Sequence, residues 1–169
     1  MSAAWKQRLF GSPSKARAPV EDRQQFEGVL RGLLTGQKLA VLATHDQAGP
    51  YASLVAFAVT DDLKHLVFAT QRNTRKHANL TADPRVAMLI DSRSDSDADF
   101  QEAVAATAQG KAFETRGIER SRLLDLYLER HPHLREFATS PDCALVCVSI
   151  ERYFMATRFL KLVEIAMPS

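Results

Sequence analysis

Three apolar runs, "KLAVLAT" (38–44), "YASLVAFAVT" (51–60) and "HLVFAT" (65–70), follow one another with only "HDQAGP" and "DDLK" between them. Both gaps carry turn chemistry, Asp with Gly and Pro in the first and a pair of Asp in the second, so the spacing predicts a three-strand antiparallel meander. "RVAMLID" (85–91) gives a fourth strand and "AVAATAQGKAFET" (103–115) a long fifth, in which Gly110 marks an expected bulge. "CALVCVSIERYFMATRFLKLVEIA" (143–166) supplies two more. With so many short strands and few helices, the residues point to a mainly β chain with flanking helices, a small barrel or strongly curved sheet.

Helical spacing is confined to a few places. Phe26, Val29, Leu30, Leu33 and Leu34 predict a helix from Glu21 to a stop at Gly36. "RGIERSRLLDLYLER" (116–130) reads as an amphipathic helix with Ile118, Leu123, Leu126 and Tyr127 near one face, stopped by His131 and Pro132, and "HLREFAT" (133–139) as a short helix. Residues 1–19, with Gly11, Pro13 and Pro19, read as a loosely ordered arm, and 20–169 as one domain, the size that 169 residues suit.

A net charge of +2, from 22 basic and 20 acidic residues, argues against a nucleic-acid binder. The start lacks the apolar stretch of a signal peptide and no run reaches 18 apolar residues, so the expectation is a soluble, cytoplasmic chain without a membrane span. Cys143 and Cys147, four apart in a strand, share a face and suit packing rather than a disulfide.

The anomaly is "QRNTRKHANL" (71–80), where Arg72, Arg75, Lys76 and His77 gather at the start of a short helix. A helix N-terminus carries partial positive charge and favours acids, so added cations repel it unless an anion is bound. A phosphate fits: Arg75 can grip it bidentately, Lys76 adds a point charge, and the Thr74 hydroxyl completes the cradle with backbone N–H groups. Solvated surface residues that tolerate the repulsion are the competing reading. From spacing alone the two stand level.

The stretch from Gly49 to Asp91, and above all Thr70 to Pro84, resembles the pyridoxamine 5′-phosphate oxidase-like split-barrel family of FMN proteins: a strand ending in Thr, a Thr-Arg-Lys turn, a helix, then Asp-Pro before the next strand. That resemblance implies a six-stranded antiparallel split β-barrel that binds FMN. It puts Arg75 and Lys76 on the phosphate, Thr70, Gln71 and Thr74 near it, Ser53, Leu54 and Val55 beside the isoalloxazine ring, and Arg93 near the cofactor. It also implies a homodimer with FMN at the subunit interface and a small-molecule substrate or electron donor. The family's authentic oxidases have Arg where Ser53 stands and Lys where Ala58 stands, and end in a basic tail absent here, so pyridoxamine phosphate is not the expected substrate. "PYASLVAFAV" followed by "NLTADPRVAMLI" also resembles the haem-utilisation branch of the same fold, which leaves haem as the alternative, but that branch has a His-Thr pair where this chain has Arg75 and Lys76, which favours flavin. A non-catalytic dimeric binding module is another.

Other features carry less. Asp95, Asp97 and Asp99 alternate like a calcium loop, but Phe100 stands where such a loop needs Gly. The histidines lack zinc spacing, and His131 and His133 read as exposed polar residues. Ser53 lacks a hydrolase context, and no catalytic acid–base pair or nucleophile is visible. Phe154, Phe159, Leu160 and Leu162 are expected in the core or a subunit contact.

Overall fold

The computed structural model describes residues 20–157 and 161–167. The arm at 1–19, Phe159 and Leu160 lie outside them. Helix α1 (Val20–Gly36) precedes the meander β1 (Leu39–Asp46), β2 (Gly49–Val59) and β3 (His65–Gln71). Then come α2 (Arg75–Ala82), β4 (Arg85–Asp91), a single turn α3 (Asp99–Glu102), β5 (Val104–Glu114), α4 (Gly117–Arg130), a 3-10 turn (Pro132–Leu134), α5 (Arg135–Thr139), β6 (Cys143–Thr157) and β7 (Lys161–Ala166). The strands lie in the order β3-β2-β1-β4-β5-β6-β7, all neighbours antiparallel. β3 also pairs with β6 from His65 opposite Ser149 to Gln71 opposite Cys143, which closes β1 to β6 into a six-stranded barrel and leaves β7 as an extension.

Alternation places Leu42, Phe57, Phe68, Met88 and Ile90 inside, and α1 adds Leu30, Leu33 and Leu34 to the same core. Between Gln109 and Gly110 the β5–β6 register shifts, because Gln109 faces Arg152 while Gly110 faces Ile150. The extra residue, Glu151, belongs to β6. Its inward side chains therefore change parity, from Ala144, Val146, Val148 and Ile150 to Tyr153 and Met155. The expected bulge is present, with Gly110 on the strand opposite the inserted residue.

A second core lies outside the barrel, where Leu123, Tyr127 and Leu128 of α4 cover Val67 and Ala69 of β3 and Cys143, Leu145 and Cys147 of β6. Both cysteines are buried and free, and burial pushes the Cys147 thiol up to about 12. Ile118 departs from expectation: it is 91% exposed, because the helix begins only at Gly117 and its first turn projects past the sheet. Arg130, at the far end of α4, donates through Nη2 to the carbonyls of Leu34 (3.0 Å), Thr35 (2.8 Å) and Gln37, and so satisfies the C-terminal carbonyls of α1.

His131 is also a correction, for it is buried rather than exposed, with Nε2 2.8 Å from the Phe57 carbonyl oxygen. That contact makes Nε2 the protonated nitrogen of a neutral ring. Burial lowers its pKa from the usual value near 6.5, with Arg130, His133 and Lys38 adding repulsion. The unfolded chain therefore takes up a proton that the folded one refuses. Stability is complete above about pH 6.5 and falls as pH drops below it, by at most about 1.4 kcal/mol per unit for this one group. His131→Gln, which keeps a donor for the Phe57 carbonyl, should flatten that slope in urea titrations between pH 7.5 and 5.5. An unchanged slope would assign the acid sensitivity to other groups.

Candidate functional site

The basic segment begins where β3 leaves the barrel. Thr74 caps α2: its Oγ1 accepts from the His77 N–H (3.4 Å), donates to the Gln71 carbonyl (2.7 Å) and lies 3.2 Å from Oγ1 of buried Thr70. Asn79 pins the helix to β1 by donating to Thr44 Oγ1 at 3.0 Å. The backbone N–H groups of Arg75 and Lys76 have no acceptor among the described residues. These are the open donors that an anion at a helix start requires.

The cations themselves are treated unequally. Arg72 pairs with Glu114 through Nη2 and donates through Nη1 to the Pro141 carbonyl at 2.6 Å, while His77 Nε2 stands 3.7 Å from the other oxygen of Glu114. Burial pushes the Glu114 carboxyl up, but Arg72 and His77 outweigh it and leave the group below its ordinary value. Arg75 directs Nε (3.3 Å) and Nη2 (3.0 Å) at Asp46 Oδ2, and its guanidinium carbon lies 4.7 Å from the centroid of the Tyr51 ring. The hydrogen bond from Arg75 holds the Asp46 carboxyl below its usual range. Lys76 alone of the four has no carboxylate within ion-pair distance among the described residues.

Lys76 borders a cleft of about 340 Å³. Its origin is a split in the sheet: β2 and β3 pair only over Phe57–Val59 against Leu66–Phe68, after which β2 follows β1 and β3 follows β6. The parted stretches, Leu54 to Ala56 and Ala69 to Gln71, line the gap with edges no longer paired to each other. Thr74 and Lys76 border it from α2, and Tyr127, Leu134 and Phe137 from the helical cover. The surface thus mixes apolar side chains with polar groups, which make the larger share of what is exposed, and hydroxyls and one ammonium group gather at the start of α2.

Of the residues singled out in the sequence, Leu54, Val55, Thr70, Gln71, Thr74 and Lys76 meet at this cleft. Arg75 stands beside it, engaged with Asp46. Ser53 shares the inward parity of Val55 and Phe57, and its buried Oγ has no hydrogen-bond partner among the described residues. Arg93 is elsewhere: its Nε lies 3.1 Å from Asp91 Oδ1, on a separate groove of about 500 Å³ over the outer face of β4 and β5. Sequence reasoning missed Tyr127 and Phe137, whose spacing fits ordinary helix packing. Among the described residues no cluster of three or more His, Cys, Asp or Glu side chains is arranged to hold a metal. No described helix is long and apolar enough to cross a membrane.

The family described as pyridoxamine 5′-phosphate oxidase matches residues 26–155. No curated protein matches the chain in sequence. Among solved structures, a haem-binding protein from Mycobacterium smegmatis superposes with a TM-score of 0.73 at 18% identity, over 80% of this chain and 55% of that one. This chain thus spans about half the length of that relative. An FAD-binding protein from Mesorhizobium loti gives 0.63 at 18% identity, over 76% and 90% of the two chains. General stress protein 26 from Bacillus anthracis gives 0.64 at 16% identity, over 85% and 99%. At such identities the likeness speaks for the fold, and it agrees with the closed six-stranded barrel and its split between β2 and β3. With the family match running from α1 through most of β6, the chain belongs to the pyridoxamine 5′-phosphate oxidase-like family of split-barrel proteins.

Proposed function

We propose that the chain binds FMN in the split between β2 and β3 and acts as a flavoprotein oxidoreductase. The observation that carries this reading is Lys76, an ammonium group without a carboxylate partner among the described residues, set beside two open N–H groups at one end of a cleft that mixes polar and apolar lining. The residues present fit the cofactor. A volume of about 340 Å³ lies in the range of about 300–1,000 Å³ usual for small-molecule clefts. Val55, Ala56, Ala69 and Phe137 offer apolar contact to a planar ring, and Lys76 with Thr74 receives a phosphate. Arg75 commits Nε and Nη2 to Asp46, which leaves Nη1 for the same anion. When bound, a flavin supplies hydride or electron transfer through its own ring, so the protein need only bind, orient and shield it. The absence of a visible acid–base pair is consistent with that division of labour.

A homodimer belongs to the same reading. Val41 lies opposite Leu54 on one side and Leu89 on the other, forming an apolar band on the outside of the barrel. Leu54 is 62% exposed and also lines the cleft, so a second copy covering the band would complete the site's outer wall. Haem is the second reading, supported by the likeness to the Mycobacterium smegmatis protein. Against it, no lining residue is His, Cys or Met, and burial pushes the Tyr127 phenol up to about 12, which keeps it protonated and a poor axial ligand.

Purification without added cofactor, a visible spectrum and identification of the chromophore released on denaturation form the test. A two-band flavin spectrum and free FMN are expected. A haem band would turn the assignment to haem, and a colourless protein that ignores added FMN would leave a binding module.

A further inference from the structure

The Arg75 side chain is 53% exposed, and an arginine so placed ordinarily samples many rotamers. Here the β1–β2 hairpin holds it on two sides. Asp46 is fixed by its own turn, where Oδ1 accepts from the Ala48 N–H at 2.8 Å, and Oδ2 is left to receive Nε and Nη2 of Arg75. The Tyr51 ring supplies the second side, facing the guanidinium carbon at 4.7 Å from its centroid. The same hairpin carries the helix: Thr44, opposite Tyr51 in the register, donates through Oγ1 to the Tyr51 carbonyl (3.4 Å) and accepts from Asn79 of α2 (3.0 Å). A guanidinium is planar, so engaging its Nε–Nη2 edge turns Nη1 away from Asp46, and Nη1 has no acceptor among the described residues. Arg72 is the contrast, with Nη1 taken by the Pro141 carbonyl and Nη2 by Glu114.

We infer that Asp46 and Tyr51 are positioning residues, through which the β1–β2 hairpin fixes the Arg75 guanidinium before a ligand arrives and leaves Nη1 for the phosphate of FMN. The inference rests on the FMN reading and deepens it, because it gives the hairpin a part in recognising the anion without touching it. An arginine already held in place loses less freedom on binding, so the hairpin acts through preorganisation. The two residues differ in what they cost. Asp46 orients Arg75 but sets a negative charge beside it, whereas the ring face of Tyr51 attracts the cation and leaves its charge for the phosphate. Tyr51 is therefore the cleaner residue to change.

The test is a double-mutant cycle read with FMN and with riboflavin, which has the same ring and no phosphate. Tyr51→Leu should weaken FMN by about two- to fivefold, the scale of an exposed cation–π contact, and leave riboflavin unchanged. Tyr51→Phe keeps a ring face and should bind FMN as wild type does. In the Arg75→Ala background Tyr51→Leu should cost nothing further, because the residue it positions is gone. Should Tyr51→Leu fail to fold, Tyr51→Val, β-branched and suited to a strand, takes its place in the same cycle. An equal loss with and without Arg75, or an equal loss for FMN and riboflavin, would overturn the inference, since Tyr51 would then act on the fold or on the ring. Wild-type FMN affinity in Tyr51→Leu would overturn it too, while the FMN reading stands. Wild type binding neither ligand would overturn the FMN reading itself, and the role of the hairpin with it.

Discussion

Lys76→Ala is expected to lower FMN affinity by about ten- to a hundredfold, the scale of one lost charge-assisted contact. Arg75→Ala should also weaken binding, but for a compound reason. It removes Nη1 from the anion and at the same time leaves Asp46, now without its partner, close to the incoming phosphate. The two contributions separate in the double variant Asp46→Asn with Arg75→Ala, which should recover part of the affinity that Arg75→Ala loses. Titration of each apo protein with FMN, followed by flavin fluorescence, measures all three. Wild-type affinity in Lys76→Ala would remove the observation on which the phosphate site rests. No recovery in the double variant would mean that Asp46 does not face the ligand.

The same arithmetic bears on how the site could be read in the sequence. Four basic side chains at a helix start looked like a demand for an anion. The fold answers part of that demand internally: Glu114, 42 residues from Arg72, and Asp46, 29 residues from Arg75, bring carboxylates to the segment. Spacing along the chain cannot show partners so distant. The strands were far more legible, because alternation and turn chemistry are local, and "RVAMLID" matches β4 from end to end. Closure of β3 on β6 is the opposite case, a pairing between residues as far apart as His65 and Ser149 that the family resemblance implied and periodicity did not. His131 and Ile118 show the limit from another side. Burial of one and exposure of the other depend on how α4 lies across the barrel, and a polar ring beside a proline or an apolar residue in a first turn carries no sign of it.

The cleft follows from the same geometry. β2 and β3 cannot stay paired beyond Phe57 and Phe68 while each also follows its other neighbour around a closed barrel, so they part, and the gap opens where β3 delivers Thr70 and Thr74 to the start of α2. Curvature of the sheet is therefore a condition of the site. On the opposite side, curvature depends on the bulge at Gly110.

Gly110→Ala is expected to be the most destabilising single methyl addition in the barrel. A Cβ at this position would lie 2.0 Å from the Ser149 carbonyl oxygen and 3.0 Å from the Ile150 Cα. Both obstacles are backbone, held by ladders on either side of β6, so neither can rotate away as a side chain would. Relief requires β5 and β6 to separate at the bulge, and these two strands share the longest pairing in the sheet, from Val104 to Glu114. Overpacking against mobile side chains costs about 1–3 kcal/mol; against fixed backbone the upper end or more is expected. Gly28→Ala, whose Cβ meets nothing within 4 Å on the exposed side of α1, is the control and should hold or raise stability through helix propensity. Urea unfolding of the two variants beside wild type distinguishes them. A Gly110→Ala midpoint equal to wild type would mean that β6 can shift its inserted residue, and that the parity change from Ile150 to Tyr153 is not fixed by the glycine opposite it.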